Sequence, residues 1–124
     1  MAFKANVEET LKLWNREYKK GFFAYITLLM LKEKAMYGFE INNRFLEITR
    51  NSFTFQASAI YQILKKLSSK GFVKSHWRKS DKGPNRKYYT ITAAGDQLLR
   101  IFTESCVLPI HNGVSKMVDK YYSD

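Results

Sequence analysis

In the first stretch of the chain, apolar residues recur among polar ones with the period of an α-helix. Asn6 and Glu9 stand at the spacing of a helix-capping pair, and the helix is expected to end near Gly21. Its apolar positions recur at i, i+4, i+7 and i+11, namely Val7, Leu11, Trp14 and Tyr18. Residues 1–20 are therefore predicted to form an amphipathic helix, which serves dimerisation or packs on the rest of the chain.

Three further helices are predicted before residue 72. The run from Phe22 to Lys34 is apolar almost all round, which is typical of a central helix covered on several sides. A third helix is expected from Gly38 to near Asn51, and Phe53 to Phe55 should be extended. The fourth helix should end at Gly71, and its apolar face is Ile60, Ile63, Leu64 and Leu67.

Two short strands rich in aromatic and β-branched residues follow, at Phe72–Arg78 and Arg86–Ile91, with a turn cluster from Ser80 to Asn85 between them. Thr92 is expected to cap a last helix that is interrupted at Pro109 and Gly113. The predicted fold is mainly α with a small β-hairpin. It is a winged helix-turn-helix over residues 21–92, with an N-terminal helix before it and a C-terminal dimerisation helix over residues 93–124.

The positive charge of the chain is concentrated in one segment. Between Lys65 and Thr90 there are nine basic residues and one acidic residue, so this segment carries +8 of the formal net charge of +10. We call this segment the basic strip. Charge that serves only solubility tends to be interspersed with acidic residues, whereas a strip of one sign is typical of a phosphate-binding surface. Because the strip coincides with the fourth helix and the hairpin, double-stranded DNA is the expected partner.

An ordered set of short motifs resembles the PadR family of transcriptional regulators. The set begins with Tyr37-Gly38-Phe39-Glu40-Ile41 and runs to Gly95. Its other members are Ile60-Tyr61, Leu64 to Leu67, Gly71-Phe72-Val73, Trp77, Gly83-Pro84, Arg86-Lys87-Tyr88-Tyr89 and Ile91-Thr92. The resemblance implies a dimeric, effector-sensitive repressor. The sequence departs from the family at Gln56-Ala57-Ser58-Ala59, where Ala59 lacks the hydroxyl expected to touch phosphate, so Ser58 or Thr54 would have to supply it.

The outer face of the fourth helix holds the candidate DNA-reading residues. Ser58 and Gln62 are able to discriminate bases, and Gln62 suits the edge of adenine. Lys65, Lys66 and Lys70 are expected to contact phosphate, and Tyr61 either contacts phosphate or packs. In the hairpin, the residues expected to contact the DNA backbone or minor groove are Arg78, Lys79, Lys82, Arg86 and Lys87. The hairpin aromatic residues Trp77, Tyr88 and Tyr89 are expected to pack rather than to stack on bases.

The first and last helices carry more apolar residues than a compact winged helix needs. A second copy is the simplest partner to cover them, since two-fold dimers predominate among oligomers. The candidate dimerisation residues are Trp14, Leu99, Phe102, Cys106, Val107, Ile110, Met117 and Tyr121. The alternative is that the last helix folds back on its own domain.

Catalysis and metal binding are not expected. His76, His111 and Cys106 are too few and too far apart in the sequence for a metal or nucleophilic site, and no cofactor is predicted. A single cysteine allows no intrachain disulfide. No stretch is long and apolar enough for a membrane span, and the N-terminus has no secretion signal, so a cytoplasmic location is expected.

Three functions remain open from the sequence. The first is a homodimeric regulator, expected to be a repressor, that reads a palindromic operator and is released by a small-molecule effector held between the subunits. The second is an architectural protein that coats DNA with little regard to sequence. The third is a winged helix that serves only as a protein-interaction module.

Overall fold

The computed structural model describes residues 5–52 and 57–123. The expected extended segment from Phe53 to Phe55 and the residues Thr54 and Gln56 lie outside these ranges. The helices are α1 (Val7–Lys20), α2 (Phe23–Leu31), α3 (Gly38–Ile48), α4 (Ala57–Ser69), α5 (Ala93–Phe102) and α6 (Leu108–Tyr122), with a π-helical turn at Thr103–Val107 between the last two. The strands are β1 (Met36–Tyr37), β2 (Val73–Ser80) and β3 (Gly83–Ile91).

Several helix ends follow from the local sequence, as predicted. The side chain of Asn6 accepts a hydrogen bond from the backbone N–H of Glu9, and that of Thr92 accepts one from Gly95. Gly71 follows α4 with a φ of +81°, a conformation that glycine adopts without the steric cost of a Cβ. These caps begin α1 and α5 and turn the chain from α4 into β2.

The core forms around α2, as its continuous apolar sequence predicts. Leu28, Met30 and Leu31 are buried there. They belong to one cluster with residues from α3, α4, α5 and the sheet, namely Ile41, Phe45, Ile60, Leu64, Leu67, Leu99, Val73, Tyr89 and Met36. Burial of Ile60 and Leu64 on one side of α4 leaves the opposite side of this helix in solvent.

The sheet has three antiparallel strands in the order β1-β3-β2, and the short strand β1 was not predicted. Met36 pairs with Tyr89, and on the other side of β3 Val73 pairs with Ile91. The predicted turn cluster was too long, because Gly83 and Pro84 lie in β3. The register shifts between Arg78 and Ser80, and such a bulge tolerates proline because one residue leaves the hydrogen-bond ladder. We refer to the β2–β3 hairpin as the wing.

The predicted interruption of the last helix at Pro109 and Gly113 is wrong. Pro109 stands in the first turn of α6, and Gly113 lies within that helix. Before them, the backbone N–H of Leu108 bonds to the carbonyl of Thr103, five residues earlier. A wider turn of this kind lets a helix pass a proline, which has no N–H to give and needs space for its ring. The C-terminal segment therefore continues as one rod from α5 to α6.

Candidate nucleic-acid interface

The outer side of α4 presents the predicted DNA-reading residues to solvent. Ser58, Gln62, Lys65 and Lys66 are all exposed, and Lys70 follows the helix, exposed as well. Tyr61 packs against α3 and also presents part of its ring to solvent, so packing is one of its roles and phosphate contact stays a prediction. It is 55% exposed, and its ring lies so close to Gly38 that a Cβ there would stand 2.8 Å from it. Glycine at position 38 therefore allows α3 and α4 to approach each other.

The exposed residues of α4 border two different depressions. Tyr61 and Lys65 line a cleft between the helix and the wing, together with Lys87 and Tyr89. Gln62, Lys66 and Lys70 line a groove on the other flank, towards α2 and α5. Tyr61 and Lys65 thus lie on one flank of α4, and Gln62 and Lys66 lie on the other, a distinction that the sequence pattern did not predict.

One face of the wing carries a ladder of aromatic rings and arginines. The guanidinium carbon of Arg78 lies 4.2 Å from the ring centroid of Tyr88, and that of Arg86 lies 4.6 Å from the centroid of Tyr37. The Tyr37 and Tyr88 rings are 5.3 Å apart. His76 lies beside Tyr88 and accepts a hydrogen bond of 3.2 Å from Nε of Arg78. Stacking of this kind holds flexible arginine side chains against the sheet and restricts their orientation.

The opposite face of the wing holds Trp77, and here the sequence prediction of packing is wrong. Tyr89 is buried as predicted, with 8% of its surface exposed, whereas Trp77 is 66% exposed. Trp77 pairs with Lys87, whose ammonium nitrogen lies 6.0 Å from the indole centroid. Both residues line a cleft of about 460 Å³ that also contains Tyr61. Strand alternation puts Trp77 on the core side of the sheet, but beyond the part of the sheet that the core covers.

Tyr89, whose side chain is buried, also lines the cleft that contains Trp77. Burial, and to a lesser extent the neighbouring Tyr61, raises the pKa of Tyr89 above its ordinary value. Tyr89 therefore stays neutral at physiological pH. A negatively charged ligand in the cleft would meet a neutral phenol and the ammonium of Lys87.

The charges of the basic strip are not neutralised within the protein. Lys79 and Lys82 at the wing tip are exposed, as are Arg78, Arg86 and Lys87. Across residues 5–52 and 57–123, the ion pairs join Lys32 to Asp96, Lys34 to Glu40, and Arg44 to Glu33 and Glu47. Since none of these pairs uses a residue of the strip, its cations remain available to an external anion.

The candidate dimerisation residues differ in exposure. No residue of α1 is buried, and Trp14 is 71% exposed. Ile110, Met117 and Tyr121 of α6 are also largely exposed, Phe102 is partly exposed, and Cys106 and Val107 are half-buried. Leu99 is different, because it lies in the core of its own chain and has no apolar surface left for a partner. The other seven residues leave an apolar surface along α1 and the C-terminal rod.

The histidines and the cysteine lie on three different elements. His76 lies on the wing, His111 is exposed on α6, and Cys106 lies in the π-helical turn. The described part of the chain contains no group of three or more His, Cys, Asp or Glu side chains that could hold a metal ion. No helix in the same ranges has the length and apolar content needed to cross a bilayer.

Comparison with known proteins identifies a family for this chain. Residues 27–101 match the model of the transcriptional regulator PadR-like family. An uncharacterized protein of Lysinibacillus sphaericus is 31% identical over 80 residues, which cover 64% of this chain and 73% of that protein. The region that matches the family model, residues 27–101, contains α3, α4 and the wing.

Solved structures agree with the fold. A PadR family transcriptional regulator from Eggerthella lenta superposes with a TM-score of 0.71 at 22% identity, covering 90% of this chain and 95% of the other. Bacillus subtilis PadR in complex with operator DNA gives a TM-score of 0.58 at 29% identity, covering 64% of this chain and 45% of the other. The winged helix-turn-helix predicted from the sequence is thereby confirmed.

Proposed function

Because the chain belongs to the PadR-like family of transcriptional regulators, we propose that it is a sequence-specific DNA-binding regulator. It acts as a homodimer on a palindromic operator and represses transcription there. In this proposal α4 enters the major groove, and the wing lies along the adjacent backbone or minor groove. The solved complex of Bacillus subtilis PadR with operator DNA supports the choice of DNA as partner.

The observation that carries the proposal is the exposed, unpaired charge of the basic strip. Its cations occupy α4 and the wing, the two elements that contact DNA in winged-helix proteins. Neutralising backbone phosphates with Lys and Arg releases counterions, which supplies much of the affinity for DNA. A solubility role would not require these charges to share two adjacent elements.

Each exposed residue has a role in this proposal that follows from its chemistry. Gln62 and Ser58 read base edges, since an amide suits adenine and a hydroxyl suits several bases. Tyr61 contacts phosphate from the cleft beside the wing. The remaining residues bind the backbone or the minor groove, namely Lys65, Lys66, Lys70, Arg78, Lys79, Lys82, Arg86 and Lys87.

The exposed apolar residues of α1 and the C-terminal rod support the proposed dimer. Side chains such as Trp14, Met117 and Tyr121 are 63–71% exposed in the single chain, and exposed apolar patches on α1 and on the rod are typical of interaction sites. A two-fold dimer through this surface would place two α4 helices about 34 Å apart, one turn of DNA. A symmetric operator would then be read by two equivalent helices, and its occupation would block transcription.

Selection of bound duplexes from a random library tests the proposal. The expected result is an enriched palindrome with half-sites about 10 base pairs apart, centre to centre. The selected duplex should compete better than random duplex, and its affinity should fall steeply with salt. If random duplex competes equally well, the protein is architectural and the operator proposal is wrong. If no duplex shows salt-dependent binding, the winged helix is a protein-interaction module instead.

A further inference from the structure

Two clefts adjoin each other between α4 and the wing. Their volumes are about 490 and 460 Å³, and Tyr61, Lys87 and Tyr89 line both of them. Lys65 of α4 lines the first cleft, and Trp77 of the wing lines the second. We call the two clefts together the wing trough. Among the described residues that line it, every charged side chain is basic, so the trough is suited to an extended anion.

Two exposed aromatic rings border the wing trough, one from each of the elements that form it. Tyr61 of α4 is 55% exposed, and Trp77 of the wing is 66% exposed. The Tyr61 ring is held in place by its close approach to Gly38. Water covers most of the indole of Trp77 in the single chain, and replacing that water by a flat apolar partner is favourable. The trough therefore offers stacking surfaces as well as charge.

The ammonium group of Lys87 lies close to these rings. Its nitrogen is 6.0 Å from the ring centroid of Trp77 and 5.9 Å from that of Tyr89. Lys65 and Lys87 take part in none of the ion pairs found in residues 5–52 and 57–123. A phosphate bound by Lys87 would thus lie within reach of a base stacked on the indole of Trp77.

We propose that the wing trough binds single-stranded DNA. Its bases would stack on Trp77 and Tyr61, and its phosphates would pair with Lys65 and Lys87. A cationic groove bordered by exposed aromatic rings is the arrangement that binds single strands with little regard to sequence. A duplex gives the indole no base to stack on, because its bases cover one another and present only their edges in the grooves. This activity goes beyond the proposed function, in which Trp77 has no role.

A single strand suits the trough better than a second copy of the chain does. A second copy would bring its own net charge of +10 to a surface that is already cationic. The exposed apolar residues proposed for the dimer, such as Trp14 and Ile110, do not line the trough. A small flat anion would fill one cleft, whereas a strand of alternating phosphates and bases can occupy both.

Fluorescence anisotropy of the full chain with labelled oligonucleotides tests the activity. The probe is oligothymidylate of about 12 nucleotides, and the matched control is an abasic strand with the same number of phosphates and the same label. Oligothymidylate should bind at least tenfold more tightly at the same salt concentration, since only it can stack. Equal affinity would overturn the proposal. Tighter binding of oligouridylate would overturn the choice of DNA, and equal binding of free thymidine monophosphate would make the trough a small-ligand site instead.

Variants of Trp77 test whether stacking is the cause. Trp77→Leu should weaken oligothymidylate binding about fivefold to a hundredfold, whereas Trp77→Phe, which keeps a ring, should retain most of the affinity. The matched control is Tyr122→Leu, which removes an 83% exposed ring from the end of α6 and should change nothing. Wild-type affinity in Trp77→Leu, or equal losses in both Trp77 variants, would overturn the proposal. The abasic comparison uses the wild-type protein and decides alone if Trp77→Leu does not fold.

Binding to random duplex separates this activity from the proposed function. Trp77→Leu should bind random duplex as tightly as the wild type does, because the proposed duplex contacts do not include the indole. An equal loss for duplex and single strand would make Trp77 an ordinary backbone contact and overturn the proposal. If the wild-type protein binds no duplex, the proposed function fails, while oligothymidylate still decides whether the trough binds a single strand.

Discussion

The ammonium of Lys32 donates a hydrogen bond of 2.6 Å to the carboxylate of Asp96, joining the residue after α2 to the first turn of α5. This hydrogen bond, together with the charges of Lys32 and Arg100, lowers the pKa of Asp96 below its ordinary value near 3.8. A carboxylate whose folded pKa is lowered contributes stability above its unfolded pKa and loses that contribution as pH falls. The contact therefore stabilises the fold at neutral pH.

Asp96→Asn should lower the Tm slightly at pH 7, because both side chains are partly exposed and solvent weakens the pair. The difference from wild type should shrink from about pH 4 downwards and vanish once Asp96 is protonated in the folded protein. Thermal melts of both proteins, followed by circular dichroism between pH 2.5 and pH 7, measure how this difference in Tm changes with pH. A difference that stays constant with pH would contradict the electrostatic origin.

Gly95→Ala should destabilise the protein strongly. A Cβ at position 95 would lie 2.2 Å from the backbone oxygen of Phe72 and 2.8 Å from the side chain of Ile91. Overpacking against backbone should cost about 3 kcal/mol, at the upper end of the usual range. The control is Gly113→Ala in α6, where a Cβ meets nothing within 4 Å and helix propensity predicts a gain of about 0.5–1 kcal/mol. Guanidinium unfolding at one fixed protein concentration should give opposite signs, and equal signs would refute the assignment.

Gln62→Ala should relax sequence preference while leaving binding to random duplex nearly unchanged. Gln62 is exposed on α4, and a bidentate amide contact contributes about 1–3 kcal/mol of discrimination at one base pair. Binding to the operator and to single-base variants of it, measured by fluorescence anisotropy, should lose this discrimination at one position per half-site. Gln97→Ala, on the exposed side of α5, is the matched control. Retained discrimination at every position would remove Gln62 from the base-reading set.

Arg86→Ala should weaken binding to all duplexes alike. The guanidinium of Arg86 lies over the Tyr37 ring, a position from which it can meet a phosphate but needs no particular base. The slope of log affinity against log salt should fall by about one unit. Arg100→Ala on α5 serves as the arginine control and should keep the wild-type slope. A loss confined to the operator would mean that Arg86 reads sequence instead.

Ile110→Glu should convert the proposed dimer into a monomer. Ile110 is 59% exposed on α6, and burying a carboxylate in an apolar interface is costly. Sedimentation velocity at micromolar concentration should show the mass of one chain, whereas Asn112→Glu, on the same exposed helix, should keep the dimer. A wild-type protein that sediments as a monomer would already disprove the dimer.

Local features of the fold were predictable, whereas features that depend on distant residues were not. The caps at Asn6 and Thr92 involve residues three positions apart, so a short pattern contains all the information. Strand β1 exists because Met36 meets Tyr89, fifty-three residues later in the sequence. Nothing near Met36 indicates that partner.

In the candidate interface, too, local features were predictable and features that depend on distant residues were not. Helical period was enough to place Gln62 and Lys65 on the exposed side of α4. It did not show that Gln62 borders a groove and Lys65 a cleft, because those depressions are made by other elements. The exposure of Trp77 was missed for a related reason, since alternation gives the face of a strand but not how far the core extends beneath it.

The π-helical turn at Thr103–Val107 rotates α6 about the rod axis relative to α5. One extra residue in a helical turn rotates everything after it by about 100°. Leu99, before the turn, packs into its own core, and Ile110, after it, faces solvent. The rod is therefore anchored in its own subunit through α5, while every residue of α6 is exposed, and the turn decides which side of α6 lies above the anchored face of α5. Deletion of one residue from this turn would preserve both helices but aim α6 elsewhere.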